Sequence, residues 1–159
     1  MLATTPYTNH DRSRGRAFSP LLIIGLAALA VPRVIVHDLR LAPPNGIVNG
    51  LLVFVPPLIW LAVVLWQRPP RPFLTYLLIG VCYGIMLAIG HQLMWTAAFD
   101  GNPPQIGGNL EGRLDPAIEN LVLRTFAFVS SVITGTLVGA VVGAIGAVLA
   151  RLLPSPTRS

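Results

Sequence analysis

The sequence predicts an all-α, polytopic integral membrane protein: four transmembrane helices in an antiparallel bundle, with both termini in the cytoplasm. Three observations predict it. Four long apolar stretches run through the 159 residues. Only 11% of the residues are charged and 53% are hydrophobic, whereas soluble domains carry roughly a quarter charged residues. Lipid must therefore be the solvent around most of the chain. Finally, arginine gathers on alternate connections between the stretches, as orientation in a bilayer requires.

The elements follow in order. A bilayer core about 30 Å thick is crossed by about 20 apolar residues in a helix. Backbone groups in lipid must be paired internally, and long apolar runs without alternation read as helices rather than barrel strands. Segment one covers 18–39, behind a basic tail at 1–17. Its clean run, Leu21 to Val31, is short, and Pro32 and Arg33 interrupt it. Segment two covers 47–66 and segment three 73–98, joined by a tight Pro-rich turn that makes them a hairpin. An extracytoplasmic loop at 99–115 has turn chemistry in Asn102-Pro103-Pro104 and Gly107-Gly108-Asn109. Segment four covers 116–153, completing a transmembrane domain of 18–153, and a short tail follows at 154–159. Its start is marked by Asp115 as N-cap and Pro116 at the first helical position. Glu119 falls in the first turn, where the helix dipole favours an anion.

Arginine sets the orientation. Arg12, Arg14, Arg16, Arg68, Arg71, Arg151 and Arg158 lie on the two tails and the central turn. The two remaining connections hold Arg40, Arg113 and Arg124. Basic residues near segment ends stay inside, so both termini are expected in the cytoplasm. All 11 basic residues are Arg, which with the abundant Ala, Gly and Pro reads as the codon bias of a GC-rich bacterial genome. The expected location is a bacterial plasma (inner) membrane. A rival reading takes Arg14-Gly15-Arg16, the first apolar run and Ala28-Leu29-Ala30 as a cleaved secretory signal. The resumption of apolar residues at Val34-Ile35-Val36 stands against it.

The densest pattern lies in segment four. Ser131, Gly135, Gly139, Gly143 and Ala147 recur every four residues as one smooth stripe. Segment three has a shorter version in Gly80, Gly84 and Ala88. Such stripes let two backbones approach closely and gain packing energy that lipid does not supply. Two readings are open: packing of segments three and four inside one bundle, or association with another copy or a larger membrane complex. Segment two carries Pro56-Pro57. The missing donors leave the carbonyls of Leu52 and Val53 unpaired. Either Tyr83 and Thr134 close a simple kink, or these residues form a hydroxyl-lined pocket with Thr136 and Cys82.

Arg33 and His37 lie one turn apart on segment one, and His91 and Gln92 end segment three on the same outer side. These four are the candidate polar vestibule, with the acidic loop above it. Ionisable groups in membrane segments are functional candidates. Anchoring at the interface, where such side chains snorkel, is the competing reading. His37 and His91 are also the candidate ligands of a haem or metal. Trp66 and Tyr76 are expected at the inner interface and Trp95 at the outer, as aromatic belts.

Absences narrow the field. Cys82 is alone, which excludes a redox pair. No carboxylate is expected inside a helix, Asp38 being assigned to the connection with Arg40. Phosphate-loop, Ser-His-Asp and metalloprotease motifs are missing. The arginines form no dense basic stripe, so no nucleic-acid partner is expected. The expectation is therefore a non-enzymatic, cofactor-free membrane protein, self-associating or accessory to a larger complex through the glycine stripe. The alternatives are a small-solute transporter or channel using the outer vestibule, and a haem- or metal-binding membrane protein.

Overall fold

The computed structural model describes residues 18–153, and the two tails lie outside the described residues. The described chain is all-helical. Its helices are α1 (Pro20–Ala28), α2 (Pro32–Asp38), α3 (Ile47–Gln67), α4 (Pro72–Leu93), α5 (Trp95–Ala98) and α6 (Pro116–Leu152), with one 3₁₀ turn at Gly108–Leu110. Four helical spans are long and apolar enough to cross a membrane: Pro20–Asp38, Ile47–Gln67, Pro72–Leu93 and Pro116–Leu152. Large apolar side chains such as Phe54, Leu58, Phe126, Leu137 and Val141 point outward. In water that arrangement would be costly, while in lipid it is the ordinary one.

Segment one is two helices rather than one. Pro32 has no N–H, and the chain tightens before it: Ala30 N bonds Ala27 O at 3.1 Å and Val31 N bonds Ala28 O at 3.1 Å. The carbonyl of Leu26 thus loses the bond from Ala30 that a continuing α-helix would give it. It keeps a 3.3 Å bond from Leu29 N, and the Trp60 indole on α3 adds a second, donating from Nε1 to Leu26 O at 2.6 Å. Leu26, Ala27, Ala30 and Val34 are buried with Trp60 and Val64, so both halves of segment one belong to the core.

Segment three is also shorter than expected. Met94 leaves helical geometry at φ −94°, ψ 6°, and α5 starts anew at Trp95. Trp95 turns inward, edge-on to Phe99 at 5.0 Å. It is 7% exposed, not the interfacial anchor the sequence suggested. Tyr76 departs in the same way: it is wholly buried and donates its hydroxyl to Leu61 O at 3.1 Å. Trp66, in contrast, is 83% exposed. The α3 helix continues unbroken through Pro56 and Pro57. Tyr83 packs edge-on against Trp60 at 5.9 Å, and Thr136 bonds its own helix at Val132 O, 2.8 Å. Thr134 lines a cleft with Arg33 and His91.

The most enclosed of the four spans is α4; it touches every other helix among the described residues. Its closest partner is α6, and the small residues are the reason. A Cβ added to Gly80 would lie 2.5 Å from Gly135 O and 2.6 Å from Gly139 Cα. One added to Gly84 would lie 2.8 Å from Val132 O, and one on Gly139 would lie 2.7 Å from Tyr76 O. Only hydrogen fits at these points. Residue numbers fall along α6 as they rise along α4. The stripe ends differently from expectation: Gly146, against the Tyr76 ring, is buried, while Ala147 is half-buried. A four-residue repeat turns through about 400° on a helix of 3.6 residues per turn. The inward face therefore drifts, and contact passes from Gly143 to Gly146 by a three-residue step.

Candidate functional site

The polar site grows from the end of α2. Ala30, Val34 and Asp38 recur every four residues, and all three face inward. Gly90 on α4 makes room for this face: a Cβ there would meet Val34 Cγ1 at 3.0 Å. The last turn of α2 is fixed by a Schellman motif, in which Leu41 N bonds Val36 O at 2.9 Å and Arg40 N bonds His37 O at 3.2 Å. Asp38 is consequently locked at the helix end and is 6% exposed. This corrects the expectation that no carboxylate lies inside a helix. It also places a carboxylate where the negative end of the helix dipole opposes it.

Two imidazoles compensate. His91 Nδ1 lies 2.6 Å from Asp38 Oδ2, and His37 Nδ1 lies 3.0 Å from Oδ1. One carboxylate is thus clasped from two helices. With Asp38 ionised, both imidazoles donate from Nδ1, because a carboxylate only accepts. Each ring then keeps Nε2 for the open side.

That side is a pair of adjoining clefts. The larger, about 400 Å³, is lined by His37, Asp38, His91, Trp95 and Ser131 among others. The smaller, about 190 Å³, adds Arg33 and Thr134 and shares His37, His91, Ser130 and Ser131. Two buried side-chain polar atoms lack a hydrogen-bond partner among the described residues: Arg33 Nε and Trp95 Nε1. Both belong to the walls of these clefts, and both are donors. An unpaired buried donor costs about 1–3 kcal/mol.

Of the four expected vestibule residues, His37 and His91 meet through Asp38, and Arg33 lines the adjoining cleft. Gln92 does not join them. Its Nε2 donates to Arg124 O at 3.0 Å, and its Oε1 accepts from Arg124 Nη1 at 3.3 Å. Arg124 is held further by Asn120 Oδ1 at 2.8 Å. It lies 5.1 Å from the centre of the Trp95 ring. This cation over an aromatic face backs the cleft wall. The rim carries one exposed ion pair, Arg40 Nη1 to Asp100 Oδ2 at 3.3 Å. The long loop is tied to α6 where Ile106 N donates to Glu119 Oε1, and Asp115 Oδ1 caps α6 by accepting from Ala117 N at 2.8 Å.

For a metal or haem, His37 and His91 offer two Nε2 atoms. No group of three or more His, Cys, Asp or Glu arranged to hold a metal ion occurs among the described residues. Two imidazoles fall short of the four ligands of a closed zinc site. Sequence reasoning missed Asp38 because Arg40 and Pro43-Pro44 beside it read as a loop. Its four-residue spacing from Ala30 and Val34 was the available signal.

No family matches the chain, and neither a curated protein nor a solved structure matches it.

Proposed function

We propose that the protein is a small multi-pass membrane protein that binds and moves a small solute, with proton occupancy of the His37–Asp38–His91 cluster linked to that movement. One observation carries the reading: a buried carboxylate clasped by two imidazoles at the mouth of open clefts. Ionisable groups enclosed among apolar helices are costly to keep and mark proton and solute paths. A proton shared between Nδ1 and a carboxylate oxygen can pass either way with little movement. The charged groups around it are Arg33 and Arg40 on the segment-one side.

On this reading the four spans cross a bacterial inner membrane in alternating directions, with both termini cytoplasmic. The arginine distribution supports that orientation, and the cluster then opens to the extracytoplasmic side. Self-association through the glycine stripe is the less favoured reading. It needs a surface that α4 already covers within the chain.

The test is dissipation of an imposed pH gradient in pyranine-loaded proteoliposomes. The wild-type protein is expected to collapse the gradient faster than protein-free vesicles. Asp38→Asn keeps the shape of the side chain but cannot ionise, and is expected to return the rate to the protein-free level. Equal rates for wild type and Asp38→Asn would sink the proposal.

A further inference from the structure

We propose that the adjoining clefts are a binding site for an anionic oxygen group, a carboxylate or phosphate, anchored by Arg33. The inference rests on the solute-binding reading above and names the chemical class of the solute. Its core is a coincidence of place and kind. The two buried, unpartnered side-chain polar atoms among the described residues are Arg33 Nε and Trp95 Nε1. They lie on different helical elements, Arg33 lining the smaller cleft and Trp95 the larger one that adjoins it. Both atoms are N–H donors that accept nothing. Protein acceptors do not reach them, and the Arg33 side chain lines the smaller cleft, where an oxyanion would supply the acceptor.

The charge balance agrees. The Arg33 side chain makes no hydrogen bond or ion pair among the described residues. Arg40 is neutralised by Asp100 at the rim, and Arg124 is held by Gln92 and Asn120. Asp38 is held by the two imidazoles and makes no ion pair with Arg33. Arg33 is thus the arginine of the cleft walls whose side chain meets no protein acceptor. The remaining wall suits an oxygen ligand too. The hydroxyls of Ser130 and Thr134 line the smaller cleft beside the rings of His37 and His91, whose Nε2 atoms become donors when the rings are protonated. A guanidinium binds carboxylate and phosphate oxygens through a fork of parallel N–H groups, in bonds stronger than neutral ones. The smaller cleft, about 190 Å³, fits a headgroup or a small acid and not an extended chain.

Two sources supply this chemistry: a free oxyanion, and the phosphate of a lipid headgroup. The full chain, purified in dodecyl maltoside, is titrated with acetate and with inorganic phosphate by isothermal calorimetry. In parallel, native mass spectrometry follows phosphatidylglycerol uptake. Saturable heat with acetate or phosphate identifies a free oxyanion; a retained phosphatidylglycerol with no such heat identifies the headgroup. In either arm, Arg33→Gln is expected to weaken binding by about tenfold or more, the effect of losing one charge-assisted hydrogen bond. Arg113→Gln, in the exposed loop, is expected to bind as wild type. Trp95→Phe keeps the ring but removes the N–H, and is expected to weaken binding by about twofold to tenfold. It decides the matter if Arg33→Gln does not fold. No saturable binding of any of the three probes to folded wild type overturns the proposal, as does unchanged binding by Arg33→Gln. Because these are equilibrium measurements, a protein that collapses the pH gradient through Asp38 yet binds no oxyanion would retain the broader function and lose only this site.

Discussion

The seam between α4 and α6 and the polar end beside it are built from the same helices on opposite principles. Along the seam, glycine faces backbone, and no side chain can be added at Gly80, Gly84, Gly135 or Gly139 without moving a helix. At the polar end, large side chains from α2, α4 and α5 leave clefts between them and two donors unpaired. The seam is closed and complete in itself. The polar end is open and incomplete. The difference teaches that rigidity and binding capacity are segregated along one helix pair: Gly84 holds the seam two turns below His91, which clasps Asp38. A fixed seam holds the α4 backbone under His91 in place, while His37 and Asp38 ride on α2.

The largest expected effect comes from breaking the seam. A methyl group on Gly135 would run into the Cα and N of Gly84. Both are backbone atoms, so only separation of the helices relieves the clash. Gly135→Ala is expected to destabilise the protein by at least about 3 kcal/mol, the top of the range for an overpacked core. Gly25 has nothing near its missing Cβ. Gly25→Ala in α1 is expected to be neutral or to stabilise by up to about 1 kcal/mol, by helix propensity alone. Melting temperatures of the two variants in detergent make the comparison. Similar values would mean that the seam is not the rigid element.

At the polar end the effect is smaller, because the cluster can rearrange. Asp38→Asn retains one acceptor oxygen but cannot serve both imidazoles. One Nδ1–H then turns to the cleft and finds water. The expected loss is about 1–3 kcal/mol, that of a partly satisfied buried polar group. A loss as large as that of Gly135→Ala would erase the distinction between the two regions. The same melting measurement decides it.

How much of this was legible in the sequence follows from which features are local. The four spans are carried by unbroken apolar runs, and Asp115-Pro116 caps α6 through contacts two residues apart. The glycine repeats are also local, and they marked a close contact; which helix filled it was not in the repeat. The break in segment one was half-legible. Pro32 announced it, but the second bond to the Leu26 carbonyl, from Trp60, 34 residues away, depends on how α3 docks. Asp38 was the costliest omission. Between His37 and Arg40 it has the company of a loop residue, and its burial comes from α4, through Gly90 and His91. Gln92 fell on the other side of that problem: adjacent to His91 in sequence, it is about 100° away around the helix. It faces Arg124 of α6 instead.

The smallest effect sharpens the comparison at the rim. Arg40 and Asp100 form an ion pair with side chains 72% and 75% exposed, and such pairs contribute about 0–1 kcal/mol. Arg40→Ala is therefore expected to change stability by no more than about 0.5 kcal/mol. Arg40 has a second property, φ +51°, because it occupies the left-handed position that closes the Schellman motif of α2. A side chain is strained there by roughly 1 kcal/mol, and glycine is not. Arg40→Gly removes the same ion pair and the strain with it, so it is expected to be more stable than Arg40→Ala by up to about 1 kcal/mol. Paired melting curves of the two variants separate the contributions. If both lose stability equally, the ion pair holds the rim and the long loop is fastened at Asp100. If glycine is the better residue, the rim is held by the helix end itself, and the Asp100 end of the long loop is free to move without disturbing the helix end that carries Asp38.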